Sequence, residues 1–118
     1  MKKILVTRKL LKENSERIKK IFNVRFNNDD RLFSSEELLR DSMDCDGILT
    51  FTTTSFDKEL IMSLSNNVKI ISNYAVGFGN IDIDAAHKKG IVVTNTPDVL
   101  TDATADISIL LLLGASRR

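Results

Sequence analysis

Tryptophan is absent from the 118 residues, and proline, cysteine, histidine and tyrosine occur once each. The lone Cys45 has no internal partner for a disulfide, and with the lone His87 it cannot close a metal site. A single cysteine suits a reducing compartment, so the expected setting is the cytoplasm. No charge of one sign dominates, since 17 Lys and Arg stand against 16 Asp and Glu for a net charge of +1. The basic residues are scattered, which argues against nucleic acid or a membrane surface as partner. Long apolar runs are missing too. The longest, Ile107 to Leu113, is interrupted by Ser108 and falls far short of the roughly 20 residues that cross a bilayer. Lys2 and Lys3 precede an apolar run, Ile4 to Val6, that is too short for a signal-peptide core. There is no internal repeat, low-complexity tract or obvious linker.

What is present is an alternation of short apolar runs with helix-like segments, the pattern of a parallel sheet covered by helices on both faces. Ile4 to Thr7 reads as a first strand, and Lys9 to Phe22 as a helix with Leu10, Leu11, Ile18 and Ile21 at helical spacing. Val24 to Phe26 is a second strand. Ser34 and Ser35 then look like caps of a helix to about Met43, with Glu36 and Glu37 where the helix dipole favours acids. Gly47 to Phe51 reads as the third strand, and Asp57 opens a short helix. Val68 to Ser72 is the fourth strand, and Asp82 caps a helix that ends on Gly90. Ile91 to Thr94 is the fifth, followed after Pro97 by a helix from Thr101 or Asp102 onward. The expected class is α/β, a flavodoxin-like, doubly wound, five-stranded parallel sheet in the order 2-1-3-4-5. The last helix is apolar almost all round, so burial on several sides is expected: one face against the sheet domain, the other under a further domain or partner.

Three stretches together resemble the D-2-hydroxyacid dehydrogenases: Asp46 to Thr50, Ile71 to Asp82 (ISNYAVGFGNID), and Thr94 to Asp106 (TNTPDVLTDATAD). The nearest branch is that of the glyoxylate and hydroxypyruvate reductases. The resemblance implies a two-domain enzyme. Residues 1–100 would be most of its substrate-side domain, and residues 101–118 an interdomain crossover helix toward a Rossmann domain that binds NAD or NADP. On this expectation the chain is truncated and inactive alone, because the family's GxGxxG fingerprint and its catalytic Arg, Glu and His lie beyond the position of Arg118. The substrate implied is a small 2-keto acid, reduced to a D-2-hydroxy acid. A homodimer through the crossover helix or the missing domain is also expected.

Individual motifs divide by chemistry. Gly77-Phe78-Gly79 begins like a dinucleotide fingerprint, but Asp82 occupies the third glycine position, so that reading fails. A loop leaving the C-terminal edge of a parallel strand can instead aim amides at an anion, with glycine permitting close approach. By the resemblance, the amides of Val76 and Gly77 bind the substrate carboxylate; the plainer reading is a tight turn that needs glycine. Phe51 and Thr52 fall at the same edge as a pocket wall, or as an ordinary strand end with threonines satisfying local backbone. Thr104 has a family counterpart that touches the cofactor, although a helix-start threonine bonding its own backbone is the commoner case. Asp98 and Asp102 read as turn and capping residues. His87 beside Lys88 and Lys89 reads as a surface residue, not a general acid, and Cys45 as a small buried side chain.

Other classes fit less well. A receiver domain needs carboxylates after the first and third strands, where this chain has Thr7-Arg8 and Thr50-Phe51. A flavodoxin needs a phosphate loop where Arg8 to Leu11 stand. The remaining alternative is a non-catalytic fragment, or a binding or assembly module that kept the fold.

Overall fold

The computed structural model describes residues 1–117. Five parallel strands, β1 (Lys3–Val6), β2 (Asn23–Phe26), β3 (Gly47–Thr50), β4 (Ile70–Asn73) and β5 (Val92–Thr94), lie in the order β2-β1-β3-β4-β5. The helices are α1 (Lys12–Lys19), α2 (Ser35–Ser42), α3 (Lys58–Ser63), α4 (Ile83–Lys89) and α5 (Thr101–Arg117). The class and the strand order are those expected from the sequence.

Right-handed crossovers in this order put α1 on one face of the sheet and α2, α3 and α4 on the other. The second face holds the core. Leu5, Ile48 and Ile71 point into it from neighbouring strands and meet Leu38, Leu60, Ile61, Ala85 and Ala86, with Phe56 fully buried among them. Ile70 and Val92 are paired across β4 and β5 and alternate with this set, so they share the α1 face. Both stay exposed there. Coverage of both faces by helices, expected from the alternating pattern, is therefore incomplete: α1 screens only the β1–β2 side.

The helix signals act locally. Ser34 forms a capping box with Glu37, and Asp57 and Asp82 each accept the amide three residues on, from Leu60 and Ala85. Gly90 closes α4 in the left-handed region at φ 74°. Two expectations fail. The first helix starts at Lys12 and not at Lys9, because Asp30 accepts the Lys9 amide at 2.7 Å and grips the Arg8 guanidinium, holding this segment outside the helix. The last helix is not buried on any side: α5 buries none of its residues, and Leu110 to Leu113 are all more than half exposed. The sheet domain covers neither face of it, although the chain turns at Pro97 and Asp98 between β5 and α5. Arg118, the last residue of the expected crossover segment, lies outside the described residues.

Candidate active site

The register puts Thr50 opposite Asn73, so β3 and β4 end level at the C-terminal edge of the sheet. The Tyr74 amide continues the ladder onto the Thr50 carbonyl at 2.7 Å. Phe51 and the Val76-Gly77 loop thus leave the same edge, and the Phe51 and Tyr74 rings stand 5.1 Å apart. Thr50 is buried and spends its hydroxyl on Thr7, 3.2 Å away, so it holds strands together. Phe51 is half-buried and Thr52 exposed on the turn that follows.

The loop after β4 has an inner and an outer side. Inward, the carbonyl of Ala75 accepts from the Thr96 amide at 2.8 Å, that of Val76 from Asn95 Nδ2 at 2.7 Å, and that of Gly77 from Asn73 Nδ2 at 2.9 Å. The amides of Val76 and Gly77 donate to no group among the described residues. Gly77 lies outside the left-handed region, and a Cβ placed on it would meet nothing within 4 Å. Neither backbone conformation nor packing within this chain requires glycine there. The tight-turn explanation loses its ground, and an approach from outside the chain is what a side chain at Gly77 would obstruct.

A hollow of about 520 Å³ opens between Phe51, Tyr74, Leu10 and Asp30, with Lys9 and Lys12 also lining it. A second of about 700 Å³ runs beside β5 and α4, along Phe78, Ile83, His87, Val92 and Asn95. Val76 and Gly77 line neither. The structure therefore brings Val76, Gly77, Phe51 and Thr52 to one edge of the sheet without enclosing them in a common cavity. Thr104 is not gathered with them. It is exposed on α5, its amide bonded within the helix to Leu100, its carbonyl accepting from Ser108.

Sequence reasoning missed the polar residues behind this edge. Arg8 follows β1, donates to Thr53 Oγ1 at 3.0 Å and pairs with Asp30 at 2.8 Å. The Arg8 hydrogen bond, assisted by the Lys9 amide, holds the Asp30 carboxyl down at about 2. Asn73 is buried and also donates to Asn80 Oδ1, while Asn80 donates to the Phe51 and Thr54 carbonyls. Their signal in the sequence was position alone: Arg8 and Asn73 stand at or just beyond the C-terminal ends of β1 and β4, and Asn80 in the turn before α4. His87 is exposed in the last turn of α4. Cys45 is buried, and burial raises its thiol pKa, the opposite of an activated nucleophile. Asp98 adopts φ 63°, as a turn aspartate can, and Asp102 sits in the first turn of α5. Among the described residues no helix is long and apolar enough to cross a membrane.

Known proteins share both the sequence and this arrangement. The chain is 41% identical over 116 residues to a glyoxylate reductase of Thermococcus onnurineus, covering 98% of this chain and 34% of that protein. The NADPH-dependent glyoxylate/hydroxypyruvate reductase of Sinorhizobium meliloti, solved with NADP and malonate, superposes with a TM-score of 0.75. It is 33% identical over 95% of this chain and 33% of its own. A glyoxylate reductase from Paecilomyes thermophila superposes at 0.82 with 27% identity, over 97% of this chain and 38% of that one. This chain thus spans about a third of the length of the proteins it resembles. The family model of the D-isomer specific 2-hydroxyacid dehydrogenase catalytic domain matches residues 4–109, and the chain belongs to that family.

Proposed function

We propose that this chain forms the substrate-binding side of an NAD(P)-dependent oxidoreductase that reduces glyoxylate or hydroxypyruvate to the D-2-hydroxy acid, in the cytoplasm. The observation that carries the reading is the pair of unspent amides at Val76 and Gly77, beside a glycine that nothing inside the chain requires. Two adjacent N–H groups at a strand's C-terminal edge suit a carboxylate, and the choice among 2-keto acids follows the relatives.

In the reaction these amides hold the carboxylate and leave the adjacent keto carbon facing outward from the sheet edge. Phe51 supplies an apolar wall that limits water on one side, with Thr52 next to it. A reduced nicotinamide, when bound, supplies the hydride. The described residues offer it no phosphate cradle, because the glycines of Gly77-Phe78-Gly79 precede a helix capped by Asp82, whose carboxylate faces the helix amides that a phosphate would need. They fit an edge contact only, at the exposed hydroxyl of Thr104. Residues 1–100 act as the substrate domain and α5 as the connection toward the cofactor domain. The protein works as a homodimer in which the apolar surface of α5 is covered.

The test joins the chain in one polypeptide to a cofactor domain of the family and follows NADH or NADPH oxidation by glyoxylate. Turnover is expected from the joined protein and none from the 118 residues alone. Gly77→Val is expected to raise KM at least tenfold, since β-branched bulk intrudes where the carboxylate must approach, and His87→Gln to leave the rate within about twofold. Turnover by the bare chain, or a Gly77→Val enzyme with unchanged KM, would refute the assignment. A joined protein that folds, binds cofactor and stays inert would favour the non-catalytic module.

A further inference from the structure

The carboxylate reading leaves open what keeps two backbone amides aimed at an anion in a loop that no helix or strand constrains. A trans peptide is planar, with its N–H antiparallel to its C=O, so whatever grips a carbonyl also aims the amide of the next residue. Among the described residues no peptide is cis. The Thr96 amide on the Ala75 carbonyl therefore aims the Val76 N–H, and Asn95 Nδ2 on the Val76 carbonyl aims the Gly77 N–H. Both grips come from adjacent residues of the segment after β5. Both amides then leave on the side away from that segment.

Asn73 secures the next peptide by the same means, through the Gly77 carbonyl at 2.9 Å. It is itself tied by Asn80 to the Phe51 and Thr54 carbonyls, at 3.2 and 2.9 Å. The anion loop and the Phe51 wall are thereby linked through side-chain amides. The alternative state that these bonds oppose is a peptide flip, which would present the Val76 carbonyl oxygen to the carboxylate and replace attraction by repulsion.

We propose that Asn95 is a positioning residue: by donating to the Val76 carbonyl it holds the Gly77 amide toward the substrate carboxylate, with Asn73 fixing the following peptide against the Phe51 loop. The proposal rests on the carboxylate reading of the Val76-Gly77 loop. It assigns Asn95 no contact with substrate and no part in the chemistry. A donor at this position is essential. An ionised aspartate has nearly the same shape but only accepts hydrogen bonds, so it would repel the carbonyl that asparagine holds.

The experiment is a titration of the uniformly 15N-labelled chain with sodium glyoxylate, followed through every backbone amide signal, for the native sequence and for Asn95→Ala, Asn95→Asp and Asn95→Gln. In the native chain the Val76 and Gly77 signals are expected to move together and saturate. Asn95→Ala should weaken the apparent affinity by roughly tenfold, the usual consequence of losing a partly buried hydrogen bond. Asn95→Asp should weaken it further at neutral pH and recover on acidification, when the protonated acid can donate; Asn95→Gln should retain most of the affinity. Signals of β1, β3 and α2 report whether each variant keeps the fold, and if Asn95→Asp does not, Asn95→Ala and Asn95→Gln carry the comparison. If the native amides at Val76 and Gly77 do not respond, the carboxylate reading fails and this proposal with it. If they respond and folded Asn95→Ala binds as tightly as the native chain, the carboxylate reading stands and the positioning role of Asn95 is overturned.

Discussion

At Gly47 the backbone of β3 passes so close to β4 that a Cβ would lie 2.7 Å from Ile70 Cγ2 and 3.4 Å from the Ile70 carbonyl oxygen. The contact atom is a branch held close to the β4 backbone, so it can yield little. Gly47→Ala is expected to destabilise the chain by about 1–3 kcal/mol, the range for overpacking, as a lower denaturant midpoint with an unchanged m-value. An equal or higher midpoint would mean that the two strands separate more easily than the register implies. Gly77 is the contrasting case: open space around its Cβ leaves stability indifferent and function exposed.

Acid stability also rests on individual residues. Asp30, held by Arg8 and the Lys9 amide, and Glu37, held by Arg31 and the Ser34 amide, both sit at about 2, below their ordinary values of 3.8 and 4.5. Each therefore binds its proton more weakly in the folded chain than in the unfolded one. Their contribution is complete above the ordinary carboxylate range and drains away as pH falls from about 4.5 toward 2. Urea midpoints measured through that window should decline, and Asp30→Asn should flatten part of the decline. A native profile level from pH 5 to 2 would show that neither pair survives in solution.

Among the elements, α2 depends most visibly on its first residues. Ser34 accepts the Glu37 amide at 3.2 Å, Glu37 accepts the Ser34 amide at 2.9 Å, and the same carboxylate pairs with Arg31 at 2.6 Å. Ser34→Ala removes the serine half of the box and should cost about 1 kcal/mol of stability, with amide exchange fastest at the start of α2. No change in midpoint would assign the helix start to Glu37 and Arg31 alone. This element was plain in the sequence, since Ser34 and Ser35 read as caps and Glu36 and Glu37 as first-turn acids, a signal contained in four residues. The start of α1 was not. The residue that holds Lys9 outside the helix is Asp30, distant in sequence and brought there by the β1–β2 pairing.

The molecule as a whole is less compact than its length allows. Its radius of gyration is 16.6 Å, against about 13.5 Å for a compact chain of this size. The difference is α5, 17 residues and roughly 25 Å long, which leaves the sheet domain with no buried residue. Exposed leucine surface is unfavourable at about 25 cal/mol per Å², and a lone helix of this length is marginal in water. The isolated chain should self-associate, giving a light-scattering mass above the 13.2 kDa of one copy, and replacing Leu110 and Leu111 by lysine should return it to monomer with rapid amide exchange along α5. A native monomer whose α5 amides exchange slowly would show that the helix needs no cover.

The sequence by itself determined the alternation of elements, the α/β class, the caps at Ser34, Asp57 and Asp82, and the left-handed close at Gly90, because each is decided by neighbours within a few residues. It also carried the family, through the unbroken stretches Ile71 to Asp82 and Thr94 to Asp106. Only the tertiary structure decided what the edge of the sheet can do. Asn73, Asn80 and Asn95 look like ordinary turn residues along the chain, and they become a set only when parallel pairing brings the ends of β3, β4 and β5 together. The exposure of α5 was equally hidden. A helix apolar almost all round from Ile107 to Leu113 states that it must be covered, but what covers it depends on where the preceding strand delivers it, and β5 delivers it away from the core.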